Sequence, residues 1–220
     1  MNAPGGQTPL AVDIVSDVVC PWCFIGKRRL EKAIAISDVK PAIRWRPFQL
    51  DSTIPPEGKN RRAYLEAKFG SPERIRQMHE NVAAAGRGEG IPFAFERIAV
   101  SPNTLDAHRL IRWSAEAGLQ DKIVEALFSA YFLQGRNIGD RAVLAEIAAG
   151  SGMNRDQIAA RLASGEDRES VRGEIAEAQR IGVTGVPTFI LDGRYGLVGA
   201  QPAEEIAAAF AKITAAQPAA

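Results

Sequence analysis

Two cysteines, and only two, standing three residues apart, constrain this chain more than any other feature. Cys20-Pro21-Trp22-Cys23 follows a short, β-branched apolar run (residues 10–19) that reads as a buried strand. It opens a segment, residues 21–36, in which Trp22, Ile25, Leu30, Ala33 and Ile34 recur at helical spacing. A secreted scaffold stapled by disulfides needs several bridges, and a bridge across so short a loop removes little entropy from the unfolded chain. If the two thiols pair, chemistry is a better reason than stability. Pro21 suits the first helical position and Cys20 the cap. The first N–H groups of a helix have no internal partner, and that end carries partial positive charge. A thiolate at Cys20 is therefore expected to accept those N–H groups, the setting that makes a C-x-x-C cysteine nucleophilic near neutral pH. Cys23, one turn further in, is expected to be less accessible and to suit a resolving role. Lys27, Arg28 and Arg29 add positive charge nearby and are expected to face water.

The chain has 220 residues, enough for one large domain or a domain with an insertion. Residues 43–50 (IRWRPFQL) read as a second strand, which Pro47 pushes toward an edge or a bulge. Residues 51–62 form a polar Pro/Gly loop and the first boundary. Mostly helix follows. One helix begins at Ser71-Pro72-Glu73 and ends at Gly86, residues 88–100 are irregular, and Asn103 caps a helix running to Gly118. Further helices cover residues 120–134, 140–149 and 154–163. Residues 167–181 make one more helix, ended by Gly182. Two short apolar runs, residues 188–191 and 195–198, are then joined by Asp192-Gly193-Arg194, a strong hairpin signal, and residues 202–214 are a last helix. The order βαβ, helices, αββα predicts an α/β layer with an all-helical insertion. Residues 10–50 and 167–216 would form the α/β unit and 51–166 the insertion. Residues 1–9, with two Pro and two Gly, form a loose tail.

Several functions are excluded. Lys plus Arg is 27 and Asp plus Glu is 26, a net charge of +1, so no basic excess exists to neutralise nucleic-acid phosphates. No run of about 18 apolar residues is available to span a membrane. Residues 1–10 hold no Lys or Arg and no long apolar run follows, so no signal peptide is expected. The expected location is cytoplasmic, where a dithiol is kept reduced or cycles. A structural zinc site would need His79 and His108, the only histidines, to complete the cysteine pair; their spacing does not favour it, and no metal is expected. The Gly-rich stretch at residues 86–90 lacks the Lys-Ser/Thr of a phosphate loop. Glu174 and Glu177 read as solvated, and Trp45 and Trp113 as core. Phe128, Tyr131, Phe132 and Leu133 form an apolar stripe that at helical spacing reads as core.

Gly185-Val186-Pro187-Thr188-Phe189 precedes a strand, where a proline is compatible with a cis bond or with an ordinary turn. Strand, CPWC, helix, a late GVPTF and a hairpin together resemble the thioredoxin fold, and the helical insertion resembles the DsbA family. DVVCPWCFIGKRRLE, SPNTLDAHRLIRW, NIGD, GVPTFI and GAQP resemble the FrnE-type, cytoplasmic branch of that family over nearly the whole chain. The resemblance implies a thiol–disulfide oxidoreductase with Cys20 as exposed nucleophile, Cys23 as resolving thiol and Pro187 as a cis-proline facing them. Val186 would pair its backbone with a bound peptide or thiol by strand addition, and Pro21 and Trp22 would contact substrate. It implies no bound cofactor beyond the redox-active disulfide, glutathione as a candidate co-substrate, partners that are protein or small-molecule thiols and disulfides, and a homodimer. Secreted members carry a His between the cysteines. Trp22 bears no charge, which implies a potential less oxidising than the roughly −120 mV of DsbA. The neighbouring 2-hydroxychromene-2-carboxylate isomerases and kappa-class glutathione transferases share the layout, bind glutathione and have a Ser where Cys20 stands, so a glutathione-dependent isomerase or transferase is the alternative. On that reading Asn103 and His108 are candidate polar cleft groups rather than a helix cap and a helical residue. Gln201, at the start of the last helix, is a candidate for binding a glutathione carboxylate. Cys23 separates the two readings, because an isomerase needs no second thiol. A redox-inactive chaperone or binding module, using the apolar stripe, is the third.

Overall fold

The computed structural model describes residues 9–216; the expected loose tail lies almost wholly outside the described residues. Strand β1 (Ala11–Ser16) is the axis of the sheet. Val12, Ile14 and Val15 are buried on both of its faces, which accounts for an apolar run without strict alternation. It pairs in parallel with β2 (Ala42–Pro47), Ala11 opposite Ala42 and Ser16 opposite Pro47. On its other side it pairs antiparallel with β5 (Thr188–Leu191), Val12 opposite Leu191 and Val15 opposite Thr188. The hairpin partner β6 (Tyr195–Val198) completes the order β2-β1-β5-β6. β2 is thus an edge strand and Pro47 its last residue, where a missing N–H matters least.

Helix α1 (Pro21–Ile36) begins where the sequence places it, with Pro21 in its first turn and Cys20 as cap residue. It packs beside the last helix, α9 (Ala203–Ala216). Leu30 of α1, Ile206 and Phe210 of α9 and Val12, Ile14 and Phe189 of the sheet share one core. Val15 points the other way, into a smaller cluster with Phe48, Ala178 and Val183, which places α8 (Arg168–Arg180) on the opposite face.

The segment between the halves holds α2 (Arg61–Phe69), α3 (Pro72–Gly88), α4 (Leu105–Ser114), α5 (Gln120–Phe128), α6 (Arg141–Ser151) and α7 (Arg155–Ala163). It is not wholly helical. Strand β3 (Lys59–Asn60) pairs antiparallel with β4 (Val100–Ser101), inside stretches the sequence marks as loop, because two residues are too few to show a period of two. The helix expected over residues 120–134 leaves α-geometry after Phe128 and finishes as a π-helical turn, Ser129–Leu133. Phe24 of α1 stacks on Phe128 of α5 with ring centroids 4.9 Å apart, and Phe93, Phe95 and Phe132 extend the aromatic cluster. The apolar stripe is therefore core, Phe128, Tyr131 and Phe132 all being buried, and one hydrophobic core runs through both parts of the chain.

Lys27 departs from expectation. Its side chain is only 2% exposed and meets Asp121 at 3.0 Å and Glu125 at 3.3 Å, besides Glu31 on its own helix. Burial lowers its pKa, but the Glu31 and Asp121 carboxylates outweigh burial and hold it above the ordinary lysine value. Arg28 and Arg29 likewise pair with Glu125 and Glu89.

Gly26 sets the distance between α1 and β5. A Cβ built there would stand 2.9 Å from Pro187 Cγ and 3.3 Å from Phe189 Cζ. Gly26→Ala gains helix propensity of about 1 kcal/mol but forces a rigid ring and a buried strand apart, an overpacking cost of about 1–3 kcal/mol. We expect a net loss of up to about 2 kcal/mol, read as a lower denaturant midpoint at unchanged slope.

Candidate active site

The end of β1, the start of α1 and the turn before β5 meet at the cysteines. Cys20 N–H donates to the Asp17 carbonyl (2.9 Å), which closes the turn out of β1. Cys23 N–H donates to the Cys20 carbonyl (3.0 Å), the first bond of α1. The two cysteines are unbridged and lie 3.6 Å apart. The Val186–Pro187 peptide bond is cis, and Pro187 packs against α1 at Gly26.

The Cys20 side chain makes no cap hydrogen bond to the helix. Its thiol donates instead to the Val186 carbonyl, Sγ to O 3.6 Å. The expected N–H acceptance belongs to a thiolate; a protonated thiol is a donor and turns to the nearest acceptor. Nor is Cys20 exposed in the ordinary sense. It is 4% exposed and reaches solvent through a cavity of about 370 Å³ that it lines with Pro21, Trp22, Gly185 and Val186. Trp22, at 39% exposed, forms the rim. Cys23, at 1%, does not line the cavity. Burial first, and then the hydrogen bond and charge of Cys20, push the Cys23 thiol well above its ordinary value. The Ser16 hydroxyl and the Asp17 backbone pull partly the other way.

The facing wall comes from α2 and α3, with Tyr64 and Phe69 from the first and Met78 and His79 from the second. Tyr64 donates to Asp51 Oδ2 (2.9 Å), and burial with the Asp51 charge pushes its pKa up. His79 stacks on Phe95 (4.4 Å), and burial, with the Arg61 charge, pulls its pKa down. Tyr131, accepting from Arg61 Nη1 (2.8 Å), closes the inner end, and burial pushes it up to about 12.

Sequence reasoning missed this wall and the floor beneath it. Asp17, 1% exposed, lines the cavity. Its Oδ2 accepts the Leu50 N–H (2.9 Å), while Oδ1 faces His108 Nε2 at 3.4 Å without a formed hydrogen bond. An aspartate three residues before the first cysteine was the available signal.

The remaining sequence candidates lie elsewhere. Asn103 does not line the cavity; its amide donates to the Ile54 carbonyl (2.6 Å) and its oxygen accepts from Leu105 N–H (2.9 Å), beside the Thr104 cap of α4. His108 is buried behind Asp17 rather than in the cavity. Gln201 precedes α9 and donates to the Val198 carbonyl (2.7 Å), also outside the cavity. Among the described residues, no three of His, Cys, Asp and Glu converge on a point that would hold a metal ion. No described helix is long and apolar enough to cross a membrane.

A fold of this order with a dithiol at the first strand–helix junction defines a thioredoxin-fold protein of the DsbA type. The DSBA-like thioredoxin domain model matches residues 11–211, and the chain belongs to that family. A probable DsbA oxidoreductase from Streptomyces coelicolor is 32% identical and superposes with a TM-score of 0.88 over 96% of this chain and 92% of its own. The fold is shared, at lower identity, with a 2-hydroxychromene-2-carboxylate isomerase (18%, TM-score 0.72, 93% and 96% covered). It is shared too with the cytosolic disulfide reductase DsbM from Pseudomonas aeruginosa, solved with glutathione (20%, TM-score 0.64, 94% and 100% covered).

The raised Cys23 pKa gives a test of the asymmetry. Below that value the thiol is neutral, so Cys23 should resist iodoacetamide through about pH 9 in the reduced protein, while Cys20 is alkylated. Peptide mass mapping over a pH series reads this directly; equal labelling of both cysteines at pH 8 would contradict it.

Proposed function

We propose that the protein is a dithiol oxidoreductase that exchanges disulfides with protein or small-molecule partners, Cys20 attacking and Cys23 resolving. The observation that carries this reading is the unequal placement of two adjacent thiols, one opening on a cavity and the other sealed 3.6 Å away. Cys20, as thiolate, attacks one sulfur of a partner disulfide; that S–S bond breaks and the other sulfur leaves as a thiolate. Cys23 then gives up its proton and attacks Cys20 Sγ in the mixed disulfide. The second partner sulfur leaves, and a Cys20–Cys23 disulfide remains. An external thiol couple closes the cycle. Glutathione in a cytoplasmic setting fits that part, in keeping with the glutathione-bound cytosolic structure of DsbM. The Val186 carbonyl beside Cys20 Sγ supports recognition of an extended partner backbone at this turn. A glutathione-dependent isomerase needs no resolving thiol, and Cys23 favours the dithiol cycle over it.

Equilibration in glutathione buffers should give a reversible two-electron couple between about −270 and −120 mV. Cys20→Ser should abolish exchange, and Cys23→Ser should accumulate a mixed disulfide visible as a single glutathione adduct by intact mass. Thiols that never pair, or a bridge that resists reduction below about −300 mV, would overturn the cycle.

A further inference from the structure

We propose that the cavity beside Cys20 binds an apolar, ring-sized small molecule bearing one carboxylate, and that Arg61 binds that carboxylate. The substrate class so named rests on the dithiol reading; the binding itself does not.

Arg61 is the first residue of α2, half-buried, and lines the cavity with Cys20. Its backbone N–H donates to Ala99 O (2.9 Å) and its Nη1 to the Tyr131 hydroxyl (2.8 Å). No carboxylate among the described residues comes within ion-pair distance of it, and its Nε is buried with no hydrogen-bond partner. The molecule's other half-buried arginines each meet a carboxylate: Arg28, Arg29, Arg46, Arg136, Arg161 and Arg168, the last at 3.9 Å and with its Nε also lacking a hydrogen bond. Fully buried Arg109 and the exposed neighbour Arg62 do so too, Arg62 with Glu66 at 2.9 Å. A partly desolvated guanidinium with an unused donor is costly unless something anionic completes it. Its planar fork matches a carboxylate. The Tyr131 phenol, held protonated by burial, does not supply that charge.

The rest of the cavity limits the ligand. Trp22, Leu65, Phe69, Met78, Val82 and Phe95 present apolar and aromatic surface, and about 370 Å³ is within the range of small-molecule sites. The second cation, Lys68, donates to the Tyr64 hydroxyl (2.9 Å) and lies over the Tyr64 and Phe69 rings. Asp17 and Asp51 line the same space. Asp51 accepts from the Thr53 N–H, the Thr53 hydroxyl and Tyr64, whereas Asp17 keeps one oxygen without a hydrogen bond. Asp17 and Asp51 offset the charges of Arg61 and Lys68, which leaves no surplus positive charge for a phosphate dianion. With the Cys20 thiol on the wall, the matching reactant is an aromatic disulfide carrying a carboxylate. Cys20, as thiolate, and then Cys23, giving up its proton, break its S–S bond; two aryl thiolates and that one proton leave, and the protein takes up the bridge.

Binding of 2-naphthoate and of neutral 2-naphthamide to the full-length reduced protein tests the site without any thiol chemistry. Naphthoate should bind about tenfold tighter, the scale of one charge-assisted hydrogen bond. Arg61→Met should remove that preference, Arg61→Lys should keep part of it, and Arg62→Met, which removes the same charge next door, should leave it intact. In parallel, Arg61→Met should raise KM for 5,5′-dithiobis(2-nitrobenzoate) but not for neutral 4,4′-dithiodipyridine. Equal binding of the two naphthyl probes by the wild-type protein would overturn the inference whatever the variants do, as would a preference that survives in Arg61→Met. A naphthoate preference in a protein that reacts with neither disulfide would support the inference and overturn the dithiol cycle instead.

Discussion

The contact between Gly26 and Pro187 is the constraint on which the rest of the site depends. The two residues are 161 apart in sequence, and nothing but the pairing of β1 with β5 and the packing of α1 on that sheet brings them together. Because residue 26 has no side chain, the first two turns of α1 lie directly on the proline ring and on Phe189. That approach places the Cys20 sulfur within reach of the Val186 carbonyl. A core packed as densely as a crystal transmits a shift of a few tenths of an ångström rather than absorbing it. The geometry of the dithiol is therefore a property of the whole α/β layer rather than of the four-residue motif.

What could be read from the sequence follows the range of the interactions involved. The limits of α1, the hairpin after β5 and the N-caps Ser71, Asp140 and Asn154 are local devices, and each stands where the residues place it. Signals of the same kind missed α2, whose start at Asn60-Arg61 falls inside a stretch that reads as a polar loop, although Asn60 caps it by accepting from Ala63 N–H (3.1 Å). The cavity was not legible, because its two walls come from segments some 40 to 60 residues apart and no local pattern records which helix faces which. Lys27 shows the same limit. A lysine beside two arginines reads as solvated, and only Asp121 and Glu125, arriving on α5, make its burial tolerable. For Asn103, the helix-terminus role was open to sequence reading, and the observed bonds to Ile54 and Leu105 use the polar groups that a cleft role would need.

Neutralising the cations of α1 has a consequence for the site. Lys27, Arg28 and Arg29 follow the second cysteine closely and, if free, would bias the whole region toward anions. Each is instead matched to an acid from a neighbouring helix or loop. Their fields are largely cancelled at short range, and paired charges facing solvent are screened further. Among the described residues, the cavity-lining cations without an ion pair, Arg61 and Lys68, both lie on the helical segment. The α/β layer carries the sulfurs and one wall of the cavity, and the helical segment carries the facing wall.

In the proposed cycle, burial also orders the two thiols in time. Cys20 meets any partner first because it alone lines the cavity. Cys23 is held neutral by its apolar surroundings and by its neighbour's sulfur, so it does not compete for the first attack. Once Cys20 is in a mixed disulfide its sulfur no longer carries a charge or offers a thiol, and two of the influences that raise the Cys23 pKa disappear together. The resolving thiol thus becomes easier to ionise when it is needed, and the trigger is the bond its neighbour has just made. The desolvation that remains still disfavours the charged form. Resolution in the proposed cycle therefore requires a proton acceptor within the protein or water admitted through the cavity.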